Sequence, residues 1–202
     1  MSNFEYIIAS LPYLTADFKY QDGHAWDDVV AEIQHNLSDS DNQTLQVLLD
    51  GFVPENLNEE FYTKALSHPN KFLREYFRFD LNLRNAKVRY LNAALGRDAG
   101  KDVMEGILEE TDEFLQADKV ASALALSSLL DREQALDDIT WETVDGLGTF
   151  HYFDITAVME YLAKLHIVDR WLALDQERGR ELFRKLVMEV KGTFKGVEYK
   201  DK

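Results

Sequence analysis

The feature that most constrains the fold is a long amphipathic stretch at residues 70–95. Its apolar side chains recur at intervals of three and four, a spacing that places them on one face of an α-helix. These side chains are Phe72, Tyr76, Phe79, Leu83, Ala86, Tyr90 and Ala94. Pro69 precedes the stretch and Gly96 follows it, and these residue types favour the first turn and the end of a helix. The pattern predicts a helix over residues 70–95.

The rest of the chain favours the same fold class. Only three prolines and ten glycines interrupt 202 residues, so long helices are favoured over a sheet of many strands. Apolar spacing predicts further helices at about 26–37, 100–109, 112–130, 132–138, 140–146, 154–173 and 176–191. The opening, residues 6–14, is apolar and contains Pro12, which predicts a short irregular or strand-like segment. We predict an all-α fold, a compact bundle of long helices.

The domain organisation follows from composition and from a half-repeated phrase. Hydrophobic residues make up 46% of the chain, enough for one substantial core, so we predict a single domain over residues 1–202 with a flexible tail at 192–202. Asp80 and Asp154 each follow a group of aromatic residues and precede an amphipathic stretch. This similarity suggests related units at about 22–110 and 111–191. In the alternative interpretation, each aspartate caps or braces a helix.

The distribution of charge argues against one class of partner and leaves another open. The formal net charge of −15 argues against nucleic-acid binding, because phosphate contacts need a basic face. Residues 67–103 nevertheless contain eight basic and four acidic side chains. The candidate partner-binding residues in this segment are Lys71, Arg74, Arg78, Arg84 and Arg89. They form a positive docking surface in one interpretation and intramolecular ion pairs in the other.

The sequence contains no complete motif for catalysis or for metal binding. Residues 96–102 have three residues between two glycines where a phosphate loop has four, and residues 39–50 lack the glycine and glutamate of a calcium loop. The absence of cysteine excludes thiolate sites. We therefore predict no catalytic residues, no cofactor and no metal. The alternative is an enzyme whose site combines scattered residues such as Glu32, His35 and His151.

The chain lacks an apolar run long enough to cross a bilayer, which takes about 20 residues. The nearest run, residues 121–130, is short and contains three serines. The opening residues lack the basic and apolar regions of a signal peptide. We expect a cytoplasmic protein without direct membrane insertion.

One phrase carries a resemblance to a known family. Residues 79–84, Phe-Asp-Leu-Asn-Leu-Arg, followed by Arg89 and Gly96, resemble an aspartate–asparagine–leucine phrase in the family of the C subunit of V-type and A-type ATPases (called d in eukaryotic enzymes). The opening at residues 6–11 is similar to the start of those proteins. The whole chain most closely resembles a short, uncharacterised bacterial family encoded beside V-type ATPase genes, on residues 6–12 and 153–171.

This resemblance implies a non-catalytic component of the central stalk of a bacterial V-type ATPase. Such a component couples the soluble rotor shaft to the membrane rotor ring, and both would be its partners. The protein would then lie in the cytoplasm, peripheral to the inner membrane through the complex. The alternative function is a helical protein-interaction adaptor of another complex.

Overall fold

The computed structural model describes residues 2–15, 26–108 and 113–173. These ranges contain eight α-helices, one 3-10 turn and no strand, which confirms the predicted all-α fold. The helices are α1 (Phe4–Ser10), α2 (Trp26–Asn36), α3 (Asp39–Gly51), α4 (Glu59–Leu66), α5 (Lys71–Ala94), α6 (Ala117–Leu124), α7 (Leu129–Gly148) and α8 (Ile155–Leu172). The 3-10 turn, Pro54–Asn56, connects α3 to α4.

Helix α5 is the central element and agrees with its prediction. The side chain of Asn70 accepts a hydrogen bond from the backbone N–H of Leu73 at 3.2 Å, which satisfies one free donor of the first turn. The helix ends before Gly96, whose φ of 62° is costly for residues with a Cβ. Nine of its side chains are buried, so α5 passes through the middle of the structure.

The apolar side chains form two main clusters that share α5. The larger cluster lies between the first half of α5, helices α1 to α4, and α8. The smaller one joins the second half of α5 to α6 and α7 through Leu83, Val120, Leu136 and Ile139. Burying this surface provides most of the driving force for folding. Helix α5 therefore holds the two ends of the structure in a fixed relation.

Two local predictions are wrong. The N-terminal segment begins with α1 instead of a strand-like stretch, because Asn3 caps it and Ile7 packs into the core, and only residues 11–15 are irregular. The predicted helix at 100–109 is a series of turns as far as residue 108. Buried side chains of α5 hold this loop: Asn85 exchanges two hydrogen bonds with the backbone of Met104, and Asn92 donates to Lys101 O at 2.7 Å.

The helices around α7 also have different bounds from those predicted. The helix predicted over 112–130 is limited to α6, whereas those predicted at 132–138 and 140–146 form one continuous helix, α7. Thr140 and Thr143 lie inside α7 and donate their hydroxyl groups to carbonyls four residues earlier. These bonds satisfy the threonine side chains without interrupting the helix. The helix predicted at 176–191 and the tail at 192–202 lie outside the described residues.

Candidate interaction surface

The segment between α7 and α8 exposes three aromatic side chains in succession. We call residues 149–154 the aromatic loop. Phe150 is 84% exposed, Tyr152 66% and Phe153 60%. Aromatic side chains have a large apolar area and are enriched in protein interfaces. Single exposed apolar residues are ordinary on protein surfaces, but three large ones on one short loop mark a candidate interaction site.

The backbone of the aromatic loop is held at both ends. His151 N–H donates to Gly148 O at 2.9 Å, which ties the loop to the end of α7. The Asp154 side chain accepts hydrogen bonds from the N–H groups of Thr156 and Ala157 at 2.8 and 3.2 Å and so caps α8. Between these anchors Phe150 has a φ of 71°, which is unfavourable for a residue with a Cβ. The surrounding contacts thus impose a strained conformation that points an aromatic residue outward.

A contact within the loop adds to its rigidity. His151 Nδ1 lies 2.6 Å from Asp154 Oδ2. Burial opposes ionisation of Asp154, but the hydrogen bonds from His151 and from the first turn of α8 outweigh it and lower the pKa of the Asp154 carboxyl. The charged form of the carboxylate is therefore the one that this arrangement stabilises.

A groove of about 400 Å³ lies beside the aromatic loop. The segment after α1 contributes Leu11 and Tyr13, while Tyr152 forms part of the opposite side. Tyr13 is 74% exposed. Lys164 lies in the wall and is paired with Asp145 and Glu160, which raise the pKa of its ammonium group although burial acts in the other direction. Apolar side chains, with few charges left unpaired, thus line the groove.

A second feature is a set of polar side chains that are mostly buried, which we call the polar joint. One half contains Tyr62, Asp80 and Arg84, and the other contains Asp137, Arg170 and Trp171. The Tyr62 hydroxyl donates to Asp80 Oδ2 at 2.5 Å, and Arg84 Nε donates to the same oxygen at 3.2 Å. Burial raises the pKa of Asp80, partly offset by Arg84 and Tyr62. The bond from Tyr62 connects α4 to α5, and the bond from Arg84 lies within α5.

The other half of the polar joint connects α7 to α8. Trp171 Nε1 donates to Asp137 Oδ2 at 2.7 Å, and Arg170 pairs with the same carboxylate. Burial raises the pKa of Asp137 despite these partners. The two halves face a cleft of about 250 Å³ between α5, α7 and α8. The carboxylates in this cleft are occupied by donors on neighbouring elements, which is the arrangement of a structural brace.

His166 also lines the cleft and contacts the rings of Trp26 and Phe52. Its imidazole stacks on Phe52 with a centroid distance of 4.2 Å. Burial, with a contribution from Arg170, lowers the pKa of His166 to about 4. The ring is therefore neutral near pH 7 and packs as part of the core. Among the described residues that line the cleft, Thr140 is the only serine or threonine, and its hydroxyl donates to Leu136 O.

The five predicted partner-binding residues are dispersed among different contacts. Arg74 donates to the carbonyls of His68 and Pro69, in the connection between α4 and α5. Three others pair with acids: Arg78 with Glu75, Arg84 with Asp80 and Arg89 with Glu105. Lys71 is exposed and lies near Phe150, at the edge of the aromatic loop. The docking interpretation requires Lys71, Arg74 and Arg78 to lack acidic partners, and Arg78 has one in Glu75. A role of these residues in binding stays a prediction.

The aspartates that suggested a repeat lie in different environments. Asp80 is in the middle of α5 and accepts side-chain hydrogen bonds, whereas Asp154 precedes α8 and accepts backbone ones. Asp80 thus braces α4 against α5 and Asp154 caps α8, while the relation of the two positions as parts of a repeat stays a prediction. The division at 22–110 and 111–191 includes residues outside the described ranges and stays a prediction.

The scattered residues of the enzyme alternative do not form a metal site. Glu32 and His35 are exposed on α2, and His151 belongs to the aromatic loop. Within residues 2–15, 26–108 and 113–173, there is no group of three or more histidine and acidic side chains that could hold a metal ion. Over the same residues, every helix is too short or too polar to cross a bilayer.

Comparison with known families identifies the chain by its C-terminal two thirds. A family model described as "Protein of unknown function (DUF2764)" matches residues 53–193. The chain belongs to this family. The match corrects the resemblance to the C subunit of V-type and A-type ATPases, because the family that matches is an uncharacterised one. No curated protein and no solved structure matches the chain.

The part of the chain shared with DUF2764 contains the aromatic loop and both halves of the polar joint. Sequence reasoning noted the aromatic residues before Asp154 but interpreted them as part of a repeat. The sequence contains a signal for the aromatic loop. Three aromatic residues within residues 150–153 directly precede an N-cap, where the apolar spacing of a helix does not apply. Exposure of these rings depends on packing partners that the sequence does not show.

Proposed function

We propose that this protein is a non-catalytic helical adaptor that docks on a partner protein through the aromatic loop. The observation that carries the proposal is the outward display of Phe150, Tyr152 and Phe153 on a loop anchored at both ends. A preorganised loop loses little conformational entropy on binding, which favours affinity. The strain at Phe150 supports the same interpretation, since strained backbone is concentrated at functional sites.

The partner surface would be an apolar pocket or groove of another protein. Exposed aromatic residues also bind lipid surfaces, but a chain with a net charge of −15 is repelled by anionic lipid headgroups. Aromatic anchors that enter a pocket and lose their hydration contribute most of the binding energy at many protein interfaces. The charge and the exposed rings together favour a protein partner.

The polar joint supports an adaptor whose helices keep a fixed arrangement when a partner binds. Asp80 and Asp137 fix α4 against α5 and α7 against α8 through directional hydrogen bonds. A buried carboxylate that loses its partner is costly, so these helix pairs have one strongly preferred arrangement. A rigid body can hold a bound partner in a fixed orientation relative to the rest of a complex.

The narrower role in the central stalk of a V-type ATPase rested on the resemblance and stays an untested prediction. The rotor shaft and the membrane ring stay predicted partners on the same terms. The adaptor proposal does not need them, because it depends on the aromatic loop alone.

Site-directed photo-crosslinking tests the adaptor function. A photoreactive phenylalanine analogue is placed at Phe150 in the full chain, and at Leu95 as a control, since Leu95 is 60% exposed and distant in sequence. We expect one protein to crosslink at position 150 and to be absent at position 95, identified by mass spectrometry. Crosslinking to a second copy of the chain would indicate self-association, and equal crosslinking at both positions would contradict the proposal.

A set of substitutions complements the crosslinking. In a pull-down with the affinity-tagged chain, replacing Phe150, Tyr152 and Phe153 by serine should abolish recovery of the partner that crosslinking identifies. The matched control replaces three residues of similar exposure elsewhere: Tyr6, Leu91 and Leu95. This control removes a similar amount of exposed apolar surface and should leave recovery unchanged.

A further inference from the structure

A groove between α6 and α7 has an apolar floor. It encloses about 580 Å³, and Ala123, Leu126 and Ile139 lie along it. Ile139 and Ala123 belong to the core, but Leu126 is 40% exposed. The neighbouring Leu129 and Leu130, at the start of α7, are 70% and 58% exposed. Apolar surface thus continues from the groove to the turn between α6 and α7.

The rim of the groove is acidic. Asp118 on α6 and Asp138 on α7 border it, and neither has an ion-pair partner among the residues that the structure describes. Glu142 completes the rim and is paired at 2.5 Å with Lys119. Lys119 is the one basic side chain among the described residues that line the groove. The excess of negative charge is concentrated where the apolar floor is accessible.

Acidic neighbours on α7 disfavour the charged form of Asp138. Partial burial, and then the charges of Asp137 and Glu142, raise the pKa of Asp138. Helix α7 as a whole contains six acidic residues and one arginine. A cation bound at the rim would offset this repulsion, because opposite charges at short distance favour the ionised state.

We propose that the α6–α7 groove binds a basic amphipathic segment of a partner protein, with an apolar side chain on the floor and lysine or arginine at the rim. Charge complementarity selects this occupant, since the groove and the whole chain are both strongly acidic. The groove is independent of the aromatic loop: residues 139 and 148 are separated by roughly 14 Å along α7 at about 1.5 Å per residue. The protein would then have two docking surfaces and could bridge two partners.

Titration with model peptides tests this proposal. The probe is a fluorescent helical peptide with leucine on one face and lysine on the other. Two comparison peptides keep the length, one with leucine replaced by serine and one with lysine replaced by glutamate. We expect binding of the leucine–lysine peptide alone. Binding of the serine peptide with equal affinity would overturn the proposal, because it would show attraction by charge without use of the apolar floor.

Substitutions locate the binding. The double variant Asp118→Asn, Asp138→Asn and the single variant Leu126→Ser should each weaken binding of the leucine–lysine peptide by about tenfold. The matched control, Asp27→Asn with Asp28→Asn, removes two exposed acids on α2 and should have little effect. Equal weakening by the control, or unchanged binding by the groove variants, would overturn the proposal. A dimer of the free protein that is observed by sedimentation and disrupted by Leu126→Ser would also overturn the proposal.

Discussion

The hydroxyl of Tyr62 donates a 2.5 Å hydrogen bond to Oδ2 of Asp80, which links a fully buried side chain of α4 to the middle of α5. Burial raises the pKa of Tyr62, and the charge of Asp80 adds to this effect, so the tyrosine stays protonated and acts as the donor. This contact belongs to the polar joint, which makes the helix pairs rigid. Rigid helix pairs would let the proposed adaptor hold a bound partner in a fixed orientation.

The first prediction concerns this hydrogen bond. Tyr62→Phe should lower the free energy of unfolding by roughly 1.5–3 kcal/mol, because Asp80 loses a donor where solvent replaces it poorly. Urea denaturation measures the change. The control Tyr6→Phe removes a hydroxyl from a side chain that is 53% exposed, and its effect should be near zero. Equal midpoints for the two variants would show that the joint does not stabilise the fold.

The second prediction concerns two glycines in helices. A Cβ at Gly51 would overlap the buried ring of Phe77, so Gly51→Ala should destabilise the protein by about 1–3 kcal/mol. No atom lies within 4 Å of the corresponding position at Gly146, which is inside α7. Gly146→Ala should therefore stabilise by about 0.5–1 kcal/mol. Thermal unfolding of both variants checks the opposite signs, and a shift of the same sign would contradict the packing described.

The third prediction concerns His166 and pH. Its pKa is about 4 in the folded protein and 6.5 as the ordinary value, so the folded state binds fewer protons. The stability due to neutral His166 is complete above about pH 6.5 and is lost as the pH falls toward 4, by up to roughly 3 kcal/mol.

The variant His166→Phe isolates this contribution, because it keeps a ring against Phe52. Asp80 and Asp137 have raised pKa values, so they act in the opposite direction, with stability falling as the pH rises through their titration. Their effects cancel in the difference between wild type and variant. That difference, from urea denaturation at several pH values, should change between pH 6.5 and 4. A constant difference would contradict the burial of His166.

The fourth prediction concerns the loop after α5. Asn85 is 3% exposed and exchanges two hydrogen bonds with the backbone of Met104. Asn85→Ala should speed hydrogen exchange of the Met104 amide and cost about 1–3 kcal/mol of stability. The control Asn82→Ala removes an amide that bonds only to Arg78 O, one turn earlier in the same helix. Unchanged exchange at Met104 would show that Asn85 does not hold the loop.

The sequence predicted the helices that have a clear apolar period. Helices α2, α5 and α8 are close to their predicted bounds because each buries an apolar face, and Asn70 and Asp154 cap the starts of α5 and α8. The prediction of a helix at 100–109 is wrong because the conformation of this segment depends on Asn85 and Asn92, polar residues whose burial the local pattern does not show. Tertiary contacts decide the structure there.

The candidate interaction surface was less predictable than the fold. The pairing of Arg78, Arg84 and Arg89 depends on which acids lie nearby, and two of these acids are within four residues along α5. Exposure of Phe150 depends on its positive φ, which residue type does not predict for phenylalanine. The sequence therefore showed the absence of a recognised catalytic motif more clearly than the exposure of the aromatic loop.

The most direct test of the adaptor account is the variant Phe150→Gly, measured for both stability and partner recovery. Glycine tolerates a φ of 71°, and the lost ring is 84% exposed, so the free energy of unfolding should stay the same or rise by about 1 kcal/mol. Recovery of the protein that crosslinks at position 150 should fall sharply, because the leading aromatic anchor is gone. Unchanged recovery by a variant of equal stability would contradict the central claim.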